Sequence, residues 1–286
     1  MGRILTYSEL AADTRARLQT HYPPGEANAM TRIIFERLKG YTPADLVLKG
    51  AQEAGEYIIG KTDNIVKRLL ADEPIQYIFG IADFYGMEFK VTPDVLIPRP
   101  ETAELVDIIV SDWKNKPDLE IADLCTGSGC IACALARNLP FSAVTAIDIS
   151  APAIAVAQEN ATALKTKINF IKADVLTLAP SAGKYDIIVS NPPYITEKEK
   201  AAMEPNVLEH EPALALFVPD NEPLRFYKPI TVFASESLKP GGMLYFEINP
   251  EYASDIQKLI SGYSFSEIEV IRDSAARKRF IKATHE

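Results

Sequence analysis

From residue 118 onward, short apolar runs alternate with helix-period segments, and few architectures accept that alternation. Residues 121–124, 143–147, 168–171, 186–190 and 243–248 read as strands. Residues 130–138, 151–163, 222–238 and 252–260 read as the helices between or after them. Strand then helix, repeated with strands apolar throughout, predicts an α/β fold whose mostly parallel sheet is covered on both faces. The last two strands, at 265–271 and 278–282, are joined too closely for a parallel return and must run antiparallel.

The first 75 residues have another period. Ile33, Ile34 and Leu38, then Ile58, Ile59, Ile65, Val66, Leu69 and Leu70, recur at helical spacing. Breakers at Tyr22-Pro23-Pro24-Gly25, Gly40-Tyr41-Thr42-Pro43 and Gly60 divide them into four or five short helices, a small bundle. Between 74 and 95 the segments 75–80 and 87–91 are aromatic and β-branched around Gly80 and Gly86, which predicts a β-hairpin connector. An amphipathic helix is expected at 104–113. The predicted division is a helical domain at 1–75, a β-hairpin linker at 76–95 and an α/β domain at 96–286.

Charge and composition exclude several classes. The net charge of −9 opposes a protein that holds nucleic acid through its phosphates alone. No apolar run approaches the roughly 18 residues of a membrane span. The N-terminus carries acids and lacks the sustained apolar core of a signal peptide, so a cytoplasmic protein is expected. Cys125, Cys130 and Cys133 have the C-x4-C-x2-C spacing of some iron–sulfur proteins, but the chain has no fourth cysteine. The three histidines are isolated, and no metal is expected. The basic run between Arg272 and Lys282 fits equally a solvated strand edge and a partner-binding patch.

The first strand of the alternating region ends in Asp123-Leu124-Cys125-Thr126-Gly127-Ser128-Gly129 and runs into a helix. Glycines there let a ligand approach the backbone, and a helix N-terminus offers free N–H groups. Asp148, 21 residues beyond Gly127, ends the second strand, where it can accept from ribose hydroxyls. Loop and acid imply a nucleoside ligand; alone they fit NAD and S-adenosylmethionine equally. Asp174, placed for an adenine amino group with Val175 against the ring, favours the latter.

Residues 186–190 then lead into Asn191-Pro192-Pro193-Tyr194. Two prolines fix φ and hold the residues before them extended, giving a stiff tip. Such a tip suits a planar NH2 group, a poor nucleophile because its lone pair is delocalised. Asn191 Oδ1 can accept one N–H and the Pro192 carbonyl the other, which stabilises developing positive charge on nitrogen beside a sulfonium methyl. Tyr194 can stack on the planar group and exclude water.

These motifs, with Glu73-Pro74-Ile75-Gln76-Tyr77-Ile78-Phe79-Gly80, Leu96-Ile97-Pro98-Arg99-Pro100-Glu101-Thr102, Glu211-Pro212-Ala213-Leu214, Pro240-Gly241-Gly242, Glu247-Ile248 and Arg272-Asp273, run along nearly the whole chain. On them the chain resembles the release factor glutamine methyltransferases, the HemK/PrmC family. The resemblance implies a Rossmann-like seven-stranded S-adenosylmethionine-dependent methyltransferase domain behind a helical N-terminal domain and a hairpin linker. It implies class 1 peptide chain release factors as protein substrates, methylated on the glutamine of their Gly-Gly-Gln motif, with no stable nucleic-acid partner and no membrane. Cys125, Thr126, Gly127, Ser128, Gly129, Asp148, Asp174, Val175 and Asn191 would line the cofactor site. Asn191, Pro192, Pro193 and Tyr194 would hold the amide, and the segment containing Arg99 and Glu101 would close the pocket. The alternative reading is a nucleic-acid amino-methyltransferase, which shares Asn-Pro-Pro-Tyr but would normally bring a basic groove and a target-recognition insertion. Three positions depart from the family pattern: Cys125 replaces the first glycine of the loop, Ala103 a glutamate, and Asn249 a glycine. Cys125 fits the loop if its φ is negative.

Overall fold

The computed structural model describes residues 5–286. Helices α1 (Tyr7–Leu18), α2 (Pro24–Lys39), α3 (Pro43–Leu48), α4 (Glu56–Leu69) and α5 (Ile75–Phe79) come first, then the strands β1 (Ile81–Phe84) and β2 (Met87–Lys90). The α/β region follows as α6 (Pro100–Trp113), β3 (Glu120–Leu124), α7 (Cys130–Asn138), β4 (Ala143–Asp148), α8 (Ala151–Ala163), β5 (Ile168–Lys172) and β6 (Tyr185–Ser190). Two-residue strands β7 (Ile195–Thr196) and β8 (Phe217–Val218) flank α9 (Pro205–His210). The chain closes with α10 (Tyr227–Ser237), β9 (Leu238–Glu247), α11 (Ala253–Ile260), β10 (Phe265–Arg272) and β11 (Lys278–His285).

Two compact units result. The helical unit contains the residues up to Gly80 and Pro205–His210; the other holds Ile81–Glu204 and Glu211–Glu286. In the helical unit Leu18, Ile34, Phe35, Val66 and Leu69 are wholly buried in one core. Thr6 and Thr42 open α1 and α3 with reciprocal capping boxes through Glu9 and Asp45. Residues 75–79, expected as the first strand of the hairpin, are instead the helix α5. Pro74 precedes it, Gly80 ends it at φ +71°, and Ile75, Ile78 and Phe79 pack on the helical core at three-and-four spacing. Their aromatic and β-branched content suggested a strand; their spacing is helical. The hairpin itself is β1 and β2, turning through Tyr85 and Gly86, both at positive φ.

In the second unit seven strands run in the order β10-β11-β9-β6-β3-β4-β5. The β9-β6-β3-β4-β5 neighbours are parallel, and β11 is antiparallel to both β9 and β10. Apolar residues bury both faces: Ile121, Val189 and Tyr245 against α6 and α7 on one side, Ile188, Leu244 and Phe246 against α10 and α11 on the other. From β3 the chain steps outward to β4 and β5, then returns to place β6 on β3's other side. That reversal opens a crevice at the carboxyl ends of β3 and β6. There the Ser190 hydroxyl donates to the Leu124 carbonyl at 2.7 Å, tying the two strand ends together.

Helix α10 begins at Tyr227 rather than 222, because an earlier start would put Pro229 mid-helix, without a donor and against the preceding turn. Pro100 likewise sets the start of α6 four residues ahead of the expected 104. No described helix is long and apolar enough to cross a membrane.

Candidate active site

The crevice opens into a cavity of about 640 Å³. Its floor is the segment between β3 and α7. Cys125, Gly127 and Gly129 all have positive φ, so the turn is left-handed at three positions of five. A negative φ was the condition for Cys125 to fit the loop; the value is +62°, which explains why a glycine is usual there and leaves this cysteine in a conformation costing roughly 1–2 kcal/mol. Burial pushes its thiol's pKa up, with the Asp148 charge adding to the shift, so it stays a neutral thiol. A Cβ on Gly129 would stand 3.0 Å from the Ala157 side chain of α8, whereas one on Gly127 would meet nothing within 4 Å. Gly129 therefore serves helix packing, and Gly127 leaves backbone open to the cavity.

Buried Asn160 on α8 holds this loop in place. Its Nδ2 donates to the Ser128 and Lys90 carbonyls at 2.9 and 3.0 Å, and its Oδ1 accepts from Lys90 N at 2.7 Å. Beneath lies Asp123, fully buried; one oxygen accepts from the Thr126 hydroxyl at 2.6 Å and Ala132 N at 3.2 Å, and the other has no partner. Burial pushes its carboxyl up to about 7. Neither residue was singled out from sequence, since nothing local distinguishes a buried supporting Asn or Asp from an ordinary one.

Asp148, at the end of β4, accepts from Gly127 N and Ser150 N, both at 2.9 Å, through different oxygens. The Ile149 N–H also reaches this carboxylate, which lines the cavity with acceptor capacity to spare, and burial raises its pKa. Asp174 accepts from Leu176 N at 2.9 Å with Oδ1; among the described residues its Oδ2 has no donor. Val175 is buried beside it. Two carboxylates with spare acceptor capacity, an open glycine backbone and an apolar valine suit a hydroxyl- and amine-bearing nucleoside, so the residues present fit such a ligand.

The opposite wall carries the tetrapeptide. Asn191 and Pro193 line the cavity, as do Arg99 and Thr102. Gly129, Pro192, Tyr194 and Glu101 are not among the lining residues. Tyr194 turns into the sheet core, where its hydroxyl donates to Glu247 Oε1 at 3.1 Å and accepts from Arg279 at 3.4 Å. Burial, then the Glu247 charge, raises its pKa. Stacking on a planar ligand, expected from sequence, is not its position here. Glu101 pairs with Arg277 at 2.9 Å. Arg277 and Arg279 also bind the buried Asp273, so much of the basic C-terminal run braces the site from behind.

Two supports were not foreseen. Glu211, with a side chain only 1% exposed, accepts from Ile97 N at 3.2 Å and Arg99 at 2.5 Å, pinning the Leu96–Thr102 stretch over the cavity. Asn249, 2% exposed, donates to the Tyr194 carbonyl at 3.2 Å and to Glu199 at 3.1 Å, while Glu199 caps Thr196. The outer wall, with Leu214, Phe217 and Phe226, is apolar, and Leu214 is 60% exposed.

Comparison with known proteins shows which family and fold the chain is similar to. A family model described as methyltransferase small domain matches residues 104–212, and one described as PrmC N-terminal domain matches residues 9–80. A protein from Bacteroides thetaiotaomicron named release factor glutamine methyltransferase is 45% identical, over 99% of this chain and 99% of its own. One of the same name from Flavobacterium psychrophilum is 40% identical over 90% and 91%. A solved methyltransferase from Pyrococcus furiosus shares the fold, with a TM-score of 0.51 over 78% of this chain and 98% of its own at 14% identity.

Proposed function

The chain belongs to the release factor glutamine methyltransferase family, and we propose from that premise that its cavity joins S-adenosylmethionine to the glutamine of a Gly-Gly-Gln motif in class 1 peptide chain release factors. The product is the N5-methylated side-chain amide, a modification that supports translation termination. When bound, S-adenosylmethionine supplies an electrophilic methyl group on a sulfonium. The chain's own residues bind and aim. Asp148 accepts from ribose hydroxyls, Asp174 from the adenine amino group, and Val175 packs on the ring. Asn191 Oδ1 accepts one proton of the glutamine NH2. The Pro192 carbonyl, on the chain between the lining residues Asn191 and Pro193, would have to reach the other. Together they stabilise positive charge as it develops on nitrogen. No base is needed beforehand, because that nitrogen becomes acidic only after it has taken the methyl group.

The observation that most supports this reading is Asn191 at the end of β6, in one cavity with the loop after β3 and both acids. The rim of Leu214, Phe217 and Phe226 is apolar, and the lining arginines Arg225 and Arg99 are already paired to Glu222 and Glu211. Both features suit a protein loop better than a phosphate backbone, and the net charge points the same way. The test is incubation with purified release factor or with an oligonucleotide duplex, each with cofactor, followed by mass analysis. A methyl group on the Gly-Gly-Gln glutamine is expected. Methylation of the duplex alone would reject the proposal.

The helical unit has no chemistry of its own, and its exposed Val47, Leu48 and Tyr57 are apolar. We assign it to contacts with the release factor away from the glutamine. Leu48→Glu should weaken use of intact release factor and leave a short Gly-Gly-Gln peptide unaffected; equal losses on both would remove that role.

A further inference from the structure

Asn191 can act as an acceptor only if its amide faces the cavity oxygen-first, and a free amide can turn either way. In the structure its Nδ2 donates to the Thr102 hydroxyl at 3.2 Å, and that hydroxyl donates to Glu247 Oε2 at 2.7 Å. Thr102 and Glu247 are 3% and 2% exposed, so the bond between them is shielded from water. From the other side Arg279, which can only donate, approaches the Tyr194 hydroxyl, whose own proton goes to Glu247 Oε1. One direction of donation satisfies the whole row: Asn191 to Thr102 to Glu247, and Arg279 to Tyr194 to Glu247.

We propose that Thr102 and Glu247 are positioning residues that fix the amide of Asn191 with Oδ1 toward the substrate nitrogen. A hydroxyl has one proton. Burial raises the Glu247 pKa, while the Thr102 and Tyr194 hydroxyls and the Arg279 charge favour its ionised form. Given to that carboxylate, which only accepts, the proton leaves Thr102 nothing but lone pairs for Asn191, and only the NH2 end can meet lone pairs. Turning the amide over would set Oδ1 against the Thr102 oxygen, with no hydrogen between, and point two protons at an NH2 group that needs acceptors. The buried glutamate thus selects the chemistry of a residue it does not touch, through one threonine of the segment that covers the cavity. The inference rests on the glutamine-methylating reading and says how its acceptor is set.

Thr102→Val removes the hydroxyl at nearly constant shape. Its kcat on a Gly-Gly-Gln peptide is expected to fall about 10²-fold, with cofactor affinity by calorimetry unchanged. Thr102→Ser should recover most of that loss. In 15N-labelled protein without substrate, the Asn191 side-chain NH2 protons should be protected from solvent exchange in the wild type and unprotected in Thr102→Val. A folded, cofactor-binding Thr102→Val that keeps its kcat, or a wild type with unprotected Asn191 protons, overturns the proposal. Should Thr102→Val fail to fold, Glu247→Gln takes its place, because a glutamine can donate to Thr102 and reverse the row. At least a tenfold lower kcat is then expected, and an unchanged kcat rejects the idea. A wild type that leaves the peptide unmodified defeats the functional reading instead, and the exchange measurement then decides the amide's direction alone.

Discussion

The two walls of the cavity are built from different materials. The wall after β3 is backbone: left-handed turns, open glycine, and amide groups meeting Asp148. The wall after β6 is a side-chain network, with Asn191 bound to Thr102, Thr102 to Glu247, Glu247 to Tyr194, and Tyr194 to Arg279. A backbone wall serves a ligand that is the same at every turnover and must be held by its sugar and base. A side-chain wall serves a reacting atom whose protons must be received by particular oxygens. Single substitutions should therefore affect the first wall through conformation and the second through chemistry.

The largest effect is expected at Asn191. Removing an aimed acceptor lowers rate by on the order of 10²–10³. Asn191→Ala should lose that much kcat while cofactor affinity, measured by calorimetry, stays near the wild type. A collapse of cofactor affinity would show that Asn191 belongs to the other wall.

Asp123, below the backbone wall, offers a test through pH. Its carboxyl is pushed up to about 7 by burial, whereas in the unfolded chain it ionises near pH 4. Between those values the unfolded chain has lost a proton that the folded chain keeps, so this group's contribution to stability is full below about pH 4 and is lost as pH rises to about 7. The loss is on the order of 4 kcal/mol. Asp123→Asn, which mimics the neutral acid, should gain Tm relative to the wild type between pH 5 and pH 8. A constant Tm difference across that range would mean the wild-type acid is ionised throughout.

Asn249 tests whether the side-chain wall depends on this chain's own departures from its family. Asn249→Gly restores the usual residue but strips Tyr194's carbonyl and Glu199 of a donor. Leaving part-buried acceptors unmet costs roughly 1 kcal/mol, to be read as a lower Tm with a smaller loss of kcat than at Asn191. An unchanged Tm would mean that water replaces the amide.

The same contrast explains what could be read from the sequence. Gly127, Asp148, Asn191 and Pro193, which line the cavity, lie in or beside the turns that carry them, so their spacing could be read locally, and the strand-helix alternation implied the sheet's parallel core and antiparallel edge. The side-chain wall joins Thr102 to Glu247 across 145 positions and Asn191 to Thr102 across 89. No local pattern encodes such pairs. Tyr194 was misjudged for that reason: an aromatic beside a binding tip looks free to stack until Glu247 and Arg279 are seen to hold its hydroxyl. The helix α5 was missed because residue type was weighed above spacing.

Cys125 should give the smallest effect and the closest test of a wall that works through its backbone. Relief of the left-handed strain returns roughly 1–2 kcal/mol to Cys125→Gly, while the added freedom of glycine in the unfolded chain takes back about 0.5–1 kcal/mol. Loss of the thiol's contacts takes back a little more. The net change in stability should lie within about 1 kcal/mol of zero, and cofactor affinity should be unchanged, because the thiol's hydrogen-bond partner is Ser190, which does not line the cavity. Cys125→Val should instead lower both stability and affinity, since a β-branched side chain resists positive φ and distorts the turn. If glycine weakened cofactor binding and valine did not, the thiol itself would be making the contact, and the division between a backbone wall and a side-chain wall would fail at its first residue.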